Sequence, residues 1–482
     1  MSHTWFTVLQ ILCISGILLC AGQMSYGVTG GDKLEFNADQ FIEEGMGWRG
    51  QSVKFRVYHN IVYVSNPVDA EYQCMNFFAP VEYFEGKSYG PYNAETAPIF
   101  FPNTVGGYMP GKPGNIPKDS SERINAIGMA LLKGYVVAAP GARGRSLKDQ
   151  NGQFTGKAPA CIVDLKAAVR YLRYNDKVMP GDAGKIISNG TSAGGALSAL
   201  LGATGDNMNY EPYLTAIGAA SARDDIFAAS CYCPITNLDH ADAAYEWQFH
   251  GLNNYNSWMG KGVLNAEQIE ISAQLKALFP AYLNSLRLKK AGGTLLMLDA
   301  DGEGSFKEYV KSFVIASAQK ALSDGEDLSG LDWMTINDGT VTDIDFDAFV
   351  AYATRMKPAP AFDALDLRSP ENNLFGTATI DNQHFTLFSQ EHSADHTLAD
   401  PATVMLMNPM YYIGTPGTAM ARHWRIRHGA VDRDTSLAIP VMLAAKLRNN
   451  GADVDFALPW GQDHGGDYDL EELFAWTDQI CR

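Results

Sequence analysis

The chain has 482 residues, 46% of them hydrophobic and 19% charged, which suffices for one large domain carrying an insertion or for two domains. Its net charge is −17 and it contains no basic block. That excludes the phosphate-neutralising surface that nucleic acids or anionic membranes require, and leaves the fold open.

In chain order, the first stretch needs separate treatment. Trp5 to Cys20 is almost wholly apolar, too short for a comfortable membrane span, and is followed by Ala21 and Gly22. It reads as an export signal over residues 1–23, giving a secreted or periplasmic product with no stable membrane span after cleavage. No Lys or Arg precedes the apolar run, and a true start at Met24 would give a cytoplasmic product instead. Five cysteines remain beyond it, Cys74, Cys161, Cys231, Cys233 and Cys481, an odd number without metal-like spacing. Cys231 and Cys233 stand in an apolar run and read as packed thiols.

Ser52–Val64 and Glu71–Phe84 are rich in β-branched and aromatic residues and are predicted strands, as is Pro98–Pro102. Ser121–Lys133 has helical spacing with a Ser/Glu start, Tyr135–Ala139 is a short buried strand stopped by Pro140-Gly141, and Asp164–Tyr174 is helical. A strand through Ile186-Ile187 and another at Ile226–Ile235 follow. From Thr236 to Asn408 the alternation stops, leaving helical stretches and loops. It resumes with the strand Trp424–Arg427, a helix at Ser436–Asn449, the strand Val454–Leu458 and a closing helix at Leu470–Ile480. Such alternation predicts an α/β domain, with a mostly parallel sheet flanked by helices, built from residues 24–235 and 409–482. Residues 236–408 are then an inserted lid domain, emerging after a strand's carboxyl end where it covers a site.

Chemistry enters at Gly190-Thr191-Ser192-Ala193-Gly194, a G-x-S-x-G between an apolar strand and an Ala/Leu-rich helix. This is the pattern of a nucleophile elbow, in which a sharp strand-to-helix turn holds one serine at its apex. The α/β-hydrolase order then requires an acid and a histidine later in the chain. His464 lies between the last strand and the last helix, where that order places the base. Asp432 and Asp434 both follow the preceding strand, and position alone does not choose between them. Oxyanion stabilisation needs backbone N–H groups, one from Ala193 and a second from Gly106 or Gly107 in Asn103-Thr104-Val105-Gly106-Gly107-Tyr108, where a side chain would block close approach. Asp343-Ile344-Asp345-Phe346-Asp347 starts like a calcium loop but lacks its later glycine and glutamate, and reads as a solvated acidic face. His392 and His396, with His384 nearby, lack the rest of a zinc motif.

With these residues assembled, the chain resembles the bacterial tannases, α/β-hydrolase esterases with a large inserted lid. The likeness covers most of the chain after the leader. It is strongest in NGTSAGGALSALLG, CYCPITNLDHADAAYEW, RMKPAPAFDALDLRSPENNLFG, RIRHGAVDRD and PWGQDHGGDYD. It implies a triad of Ser192, Asp432 and His464, and galloyl hydroxyls held by Asp434, Lys357 and Glu371. The expected partner is a small phenolic ester, cleaved without a metal or organic cofactor. The alternative is a feruloyl, chlorogenate or general carboxylesterase, which shares the triad but needs fewer polar groups around the ring.

Overall fold

Among the described residues nine strands form one sheet, and four of its inner strands are buried from end to end, as residues covered on both faces must be. The structure is a computed structural model and describes residues 34–117, 124–257 and 260–481. The apolar leader at 1–23 and Met24 therefore lie outside the described residues, among which no helix is long and apolar enough to cross a membrane.

The first seven strands are β1 (Ile42–Trp48), β2 (Gln51–Val62), β3 (Cys74–Pro80), β4 (Pro98–Pro102), β5 (Val136–Pro140), β6 (Asp182–Thr191) and β7 (Ala228–Tyr232). Two separate ribbons follow, β8 (Asn254–Ser257) with β9 (Gly260–Val263) and β10 (Met334–Asn337) with β11 (Thr340–Ile344). The sheet is completed by β12 (His423–Arg427) and β13 (Asp453–Ala457), in the order β1-β2-β3-β5-β4-β6-β7-β12-β13. The pairs from β1 to β5 are antiparallel, and every pair from β5 to β13 is parallel.

Most expected elements are found within a few residues of their predicted bounds. The strand expected over Glu71–Phe84 is shorter, ending at Pro80 and giving way to a turn of helix at Val81–Phe84. The helix expected from Ser121 begins at Ala126, because the Asn125 side chain accepts from the Gly128 N–H and caps it; its Ser/Glu start lies outside the described residues. Strand β1 is an edge strand exposed at five of its seven positions, so its sequence carries little apolar signal. The acidic run at 343–347 is divided between two jobs. Asp343 ends a ribbon strand and pairs with Lys311, while Asp345 caps the helix Phe346–Ala353.

Residues 236–408 add no strand to the sheet. β7 and β12 pair directly, from Ala228 against His423 to Tyr232 against Arg427, so the chain leaves and rejoins the sheet between adjacent strands. The excursion has its own aromatic core, with Trp247 packed against Phe279, Phe306 and Phe346 at ring separations of 5.4, 5.7 and 5.9 Å. Beside it Glu246 and Arg355, both with fully buried side chains, form a bidentate ion pair, and the Ser272 hydroxyl donates to the same carboxylate at 2.5 Å. A second buried carboxylate, Asp363, accepts from the Asn372 side chain, the backbone N–H groups of Phe385 and Thr386, and His384 Nδ1. Removing one partner of a buried pair strands the other charge in a poor solvent for it. Arg355→Ala is expected to lower unfolding stability by about 3–5 kcal/mol in urea titration; a loss below about 1 kcal/mol would place the pair at a hydrated surface.

Candidate active site

The register of the parallel strands gathers the site. Thr191 pairs with Tyr232, Tyr232 with Arg427 and Arg427 with Ala457, so β6, β7, β12 and β13 stop on one line. The loops leaving these carboxyl ends carry Ser192, Cys233, Asp432 and His464, and the loop after the neighbouring β4 carries Gly106. Open α/β sheets bind ligands along this edge.

Ser192 stands at the apex with φ 60° and ψ −122°, a strained backbone for a residue with a side chain. The strain is held in place from both sides, because the Ser192 N–H donates to Tyr232 O at 2.9 Å and its carbonyl accepts from Ala196 N–H at 2.9 Å. The flanking glycines are required by proximity. A Cβ on Gly190 would lie 2.3 Å from the Gly194 carbonyl oxygen, and one on Gly194 would lie 2.6 Å from Asn103 Oδ1. Asn103 fills the space so created, donating from Nδ2 to Gly194 O at 3.0 Å and Asn189 O at 3.2 Å. One amide thus clasps the elbow to the Gly106–Gly107 loop. The sequence reading used that loop only for its glycines and missed Asn103.

The two aspartates left open by position are separated by geometry. Asp432 Oδ2 lies 2.9 Å from His464 Nδ1, whereas Asp434 Oδ2 lies 3.3 Å from Lys357 Nζ. Asp432 is buried, and its other oxygen accepts the Asp434 N–H at 2.8 Å. Burial opposes its ionisation, but the imidazoles of His428 and His464 outweigh burial and hold its pKa well below the usual carboxylate value. For His464, burial disfavours the cation, yet the hydrogen bonds to Asp432 and Cys233 and the charges of Asp432 and Asp434 together outweigh it and raise its pKa. The histidine loop is tied to the acid loop by Ala430 N–H to Pro459 O at 3.0 Å, and to β6 by Asn189 Nδ2 to Asp467 Oδ1 at 2.9 Å.

Around the serine lies a cavity of about 380 Å³ whose walls include Asn103, Val105, Gly106 and Thr191. No protein atom lies within 4 Å of a Cβ built on Gly106 or Gly107, so a side chain at Gly106 would extend into open space and not against a neighbouring element. Gly107 is required by its φ of 53°. Its carbonyl accepts from Arg145 Nε at 2.8 Å, and Arg145 Nη1 reaches on to Asn373 Oδ1 at 2.9 Å. Arg145 thus links this loop to the helix Pro370–Leu374, which carries Glu371; only the run of small residues in Gly141-Ala142-Arg143-Gly144-Arg145 hints at a close approach there.

The other side chains come from the excursion. Tyr245, on the helix Leu238–Phe249, accepts the Lys357 N–H at 3.0 Å and donates to Arg433 O at 3.0 Å. The Lys357 carbonyl accepts from Arg355 Nε at 2.6 Å, so the buried Glu246–Arg355 pair sets the position of Lys357. The Lys357 ammonium also sits 4.0 Å over the Phe362 ring. Glu371 is buried; burial pushes its carboxyl pKa up, Lys357 pulls against that shift, and Asp434 adds to it. His384 is engaged by Asp363, and the Nδ1 atoms of His392 and His396 face the carbonyls of Phe388 and Gln390.

Strand order, elbow and the paired histidine and carboxylate together define an α/β hydrolase. A family model described as BD-FAE matches residues 112–280, a stretch that includes Ser192. Comparison with curated proteins gives no match. Among solved structures, the tannase of Fusobacterium nucleatum is 52% identical, with 93% of this chain and 99% of that one covered and a TM-score of 0.90. The tannin acyl hydrolase of Lactobacillus plantarum is 49% identical over 94% of this chain and 99% of its own, with a TM-score of 0.90. A tannin acyl hydrolase in complex with ethyl gallate gives the same 49%, 94%, 99% and 0.90. The chain belongs to the bacterial tannase family.

With its carboxylate partner removed, His464 would lose the hydrogen bond and charge of Asp432 and keep the burial that disfavours its cation, opposed by Cys233 and Asp434. Asp432→Asn is therefore expected to move the ring's titration to lower pH, as followed by nitrogen NMR of the imidazole. An unchanged midpoint would show that the two groups are not coupled.

Proposed function

We propose that this chain is a serine esterase that hydrolyses galloyl esters through a galloyl-enzyme intermediate. The carrying observation is the placement of two carboxylates and an ammonium, Asp434, Glu371 and Lys357, around the loop that holds the His464 partner. A galloyl ring has three adjacent hydroxyls, each able to donate and to accept. Charged groups facing that edge, buried at Glu371 and half-buried at Lys357 and Asp434, favour a trihydroxylated ring and are left unpaired by a ring without hydroxyls. Tannin acyl hydrolase in complex with ethyl gallate supports the same substrate class.

In this reading His464 takes the Ser192 proton as the hydroxyl attacks the ester carbonyl, and Asp432 orients the imidazole and stabilises its cation. The N–H groups of Ala193 and Gly106 receive the oxyanion. Gly106 is preferred to Gly107 because it shares the cavity wall with Ser192. The alcohol leaves with the proton held by His464, and water then attacks the galloyl ester of Ser192 with His464 again as base. Residues 236–408 act as the lid that supplies ring recognition, on a catalytic domain of residues 24–235 and 409–482.

The test compares methyl gallate, methyl ferulate and p-nitrophenyl acetate. Ser192→Ala is expected to lose hydrolysis of all three, and retained turnover would overturn the mechanism. Lys357→Ala and Glu371→Ala are expected to lower kcat/KM for methyl gallate by ~10²–10⁴-fold while sparing p-nitrophenyl acetate. Equal losses on both esters would make those residues structural, and equal wild-type rates on gallate and ferulate would favour the general esterase.

A further inference from the structure

Cys233, expected only to pack, follows β7 directly and faces the histidine–carboxylate pair. Its backbone is fixed in the left-handed region at φ 43°, with its N–H donating to Arg427 O at 2.7 Å. The thiol lies between the Gly465 carbonyl, 2.9 Å away, and the Gly465 N–H, 3.3 Å away, one residue beyond His464. Ligand atoms of Cys233, Asp432 and His464 all lie within 4.8 Å of one another. A further observation points at the same place. His428 is fully buried, neither of its ring nitrogens has a hydrogen-bond partner among the described residues, and its Nε2 is 3.6 Å from Asp432 Oδ2, the oxygen that also faces His464.

We propose that Cys233, Asp432 and His464, with His428 available as a fourth ligand, form a site for zinc that switches the esterase off when occupied. Thiolate, imidazole and carboxylate are the donors zinc takes, and a tetrahedral ion with bonds of about 2.0–2.3 Å keeps its donors about 3.3–3.8 Å apart. The 2.9 Å between His464 Nδ1 and Asp432 Oδ2 must open slightly, and the thiol must close on them by about 1 Å. On binding, the Cys233 Sγ–H bond breaks, its proton goes to solvent and a zinc–sulfur bond forms. The ion takes Nδ1 of a neutral His464, whose one ring proton then resides on Nε2. That tautomer cannot accept the Ser192 proton, and Asp432 no longer orients it. The site therefore competes with catalysis for the same two side chains, so occupancy and turnover exclude each other.

The inhibition arm rests on the triad reading above; the binding arm does not. Metal-stripped wild type and Cys233→Ala are titrated with Zn²⁺ while p-nitrophenyl acetate hydrolysis is followed, each relative to its own metal-free rate, because gallate itself chelates metal ions. Cobalt(II) spectra of wild type and Ser192→Ala are recorded alongside. Expected are inhibition by one ion per chain, reversal by EDTA, and a half-inhibition concentration raised by more than about tenfold in Cys233→Ala, since losing even an outer-shell partner costs that much. Both cobalt spectra should carry a thiolate-to-cobalt charge-transfer band. Equal Zn²⁺ sensitivity in Cys233→Ala overturns the site. A wild-type cobalt spectrum without the thiolate band overturns it too, even if Cys233→Ala fails to fold. The band in Ser192→Ala together with retained esterase activity in that variant would leave the metal site standing and the triad mechanism refuted.

Discussion

The architecture turns on a steric constraint at the elbow. Strand β6 and the helix after it approach until the Gly190 and Gly194 backbones leave no room for a methyl group, and Asn103 occupies what remains. That closeness, with the hydrogen bonds on both sides of Ser192, keeps it in its strained backbone conformation and presents it at the sheet edge. The level ends of β6, β7, β12 and β13 do the rest, since parallel strands in register deliver their following loops to one place. Catalytic geometry of this kind is a property of the sheet before it is a property of any side chain.

The charged groups proposed to hold the substrate ring are built on different physics. Lys357 and Glu371 come from the excursion, far in sequence from the elbow, and their placement depends on buried polar contacts more than on a regular element. The Glu246–Arg355 pair fixes the backbone that carries Lys357, and Asp363 gathers Asn372 and the stretch His384–Thr386 around one carboxylate. Arg145 then connects the glycine loop beside the serine to the helix of Glu371. The same low dielectric that makes these contacts firm makes each of them costly to break.

What was legible in the sequence follows this division. The elbow, the strands around it and His464 could be read from local patterns, because strand, turn and helix each leave a periodic or glycine signature within a dozen residues. The choice of Asp432 over Asp434 could not, since two aspartates in one loop differ only in what they face; Lys357 and Glu371 came from family resemblance alone. Asn103, Arg145 and Tyr245 act through a few long-range hydrogen bonds each and leave no periodicity. Strand β1 and the two ribbons escaped for the opposite reason, being too short or too exposed to carry an apolar alternation. Cys233 was read correctly as a packed thiol, but its place beside His464 was not legible, because burial says nothing about which neighbours share the space.

One further consequence lies in the loop from Asp432 to Asp434. Its first carboxylate faces His464 and its second faces Lys357, and between them the Arg433 carbonyl is held by the same Tyr245 hydroxyl that holds Lys357. Three residues therefore join the groups beside His464 to the groups beside Lys357. On the function proposed above, an enzyme arranged this way cannot drift towards a new aromatic acid by reshaping this loop without disturbing its own base. On that proposal, divergence in acid preference has to run through Glu371 and the outer excursion, while the stretch from His428 to Asp434 is held fixed by two demands at once.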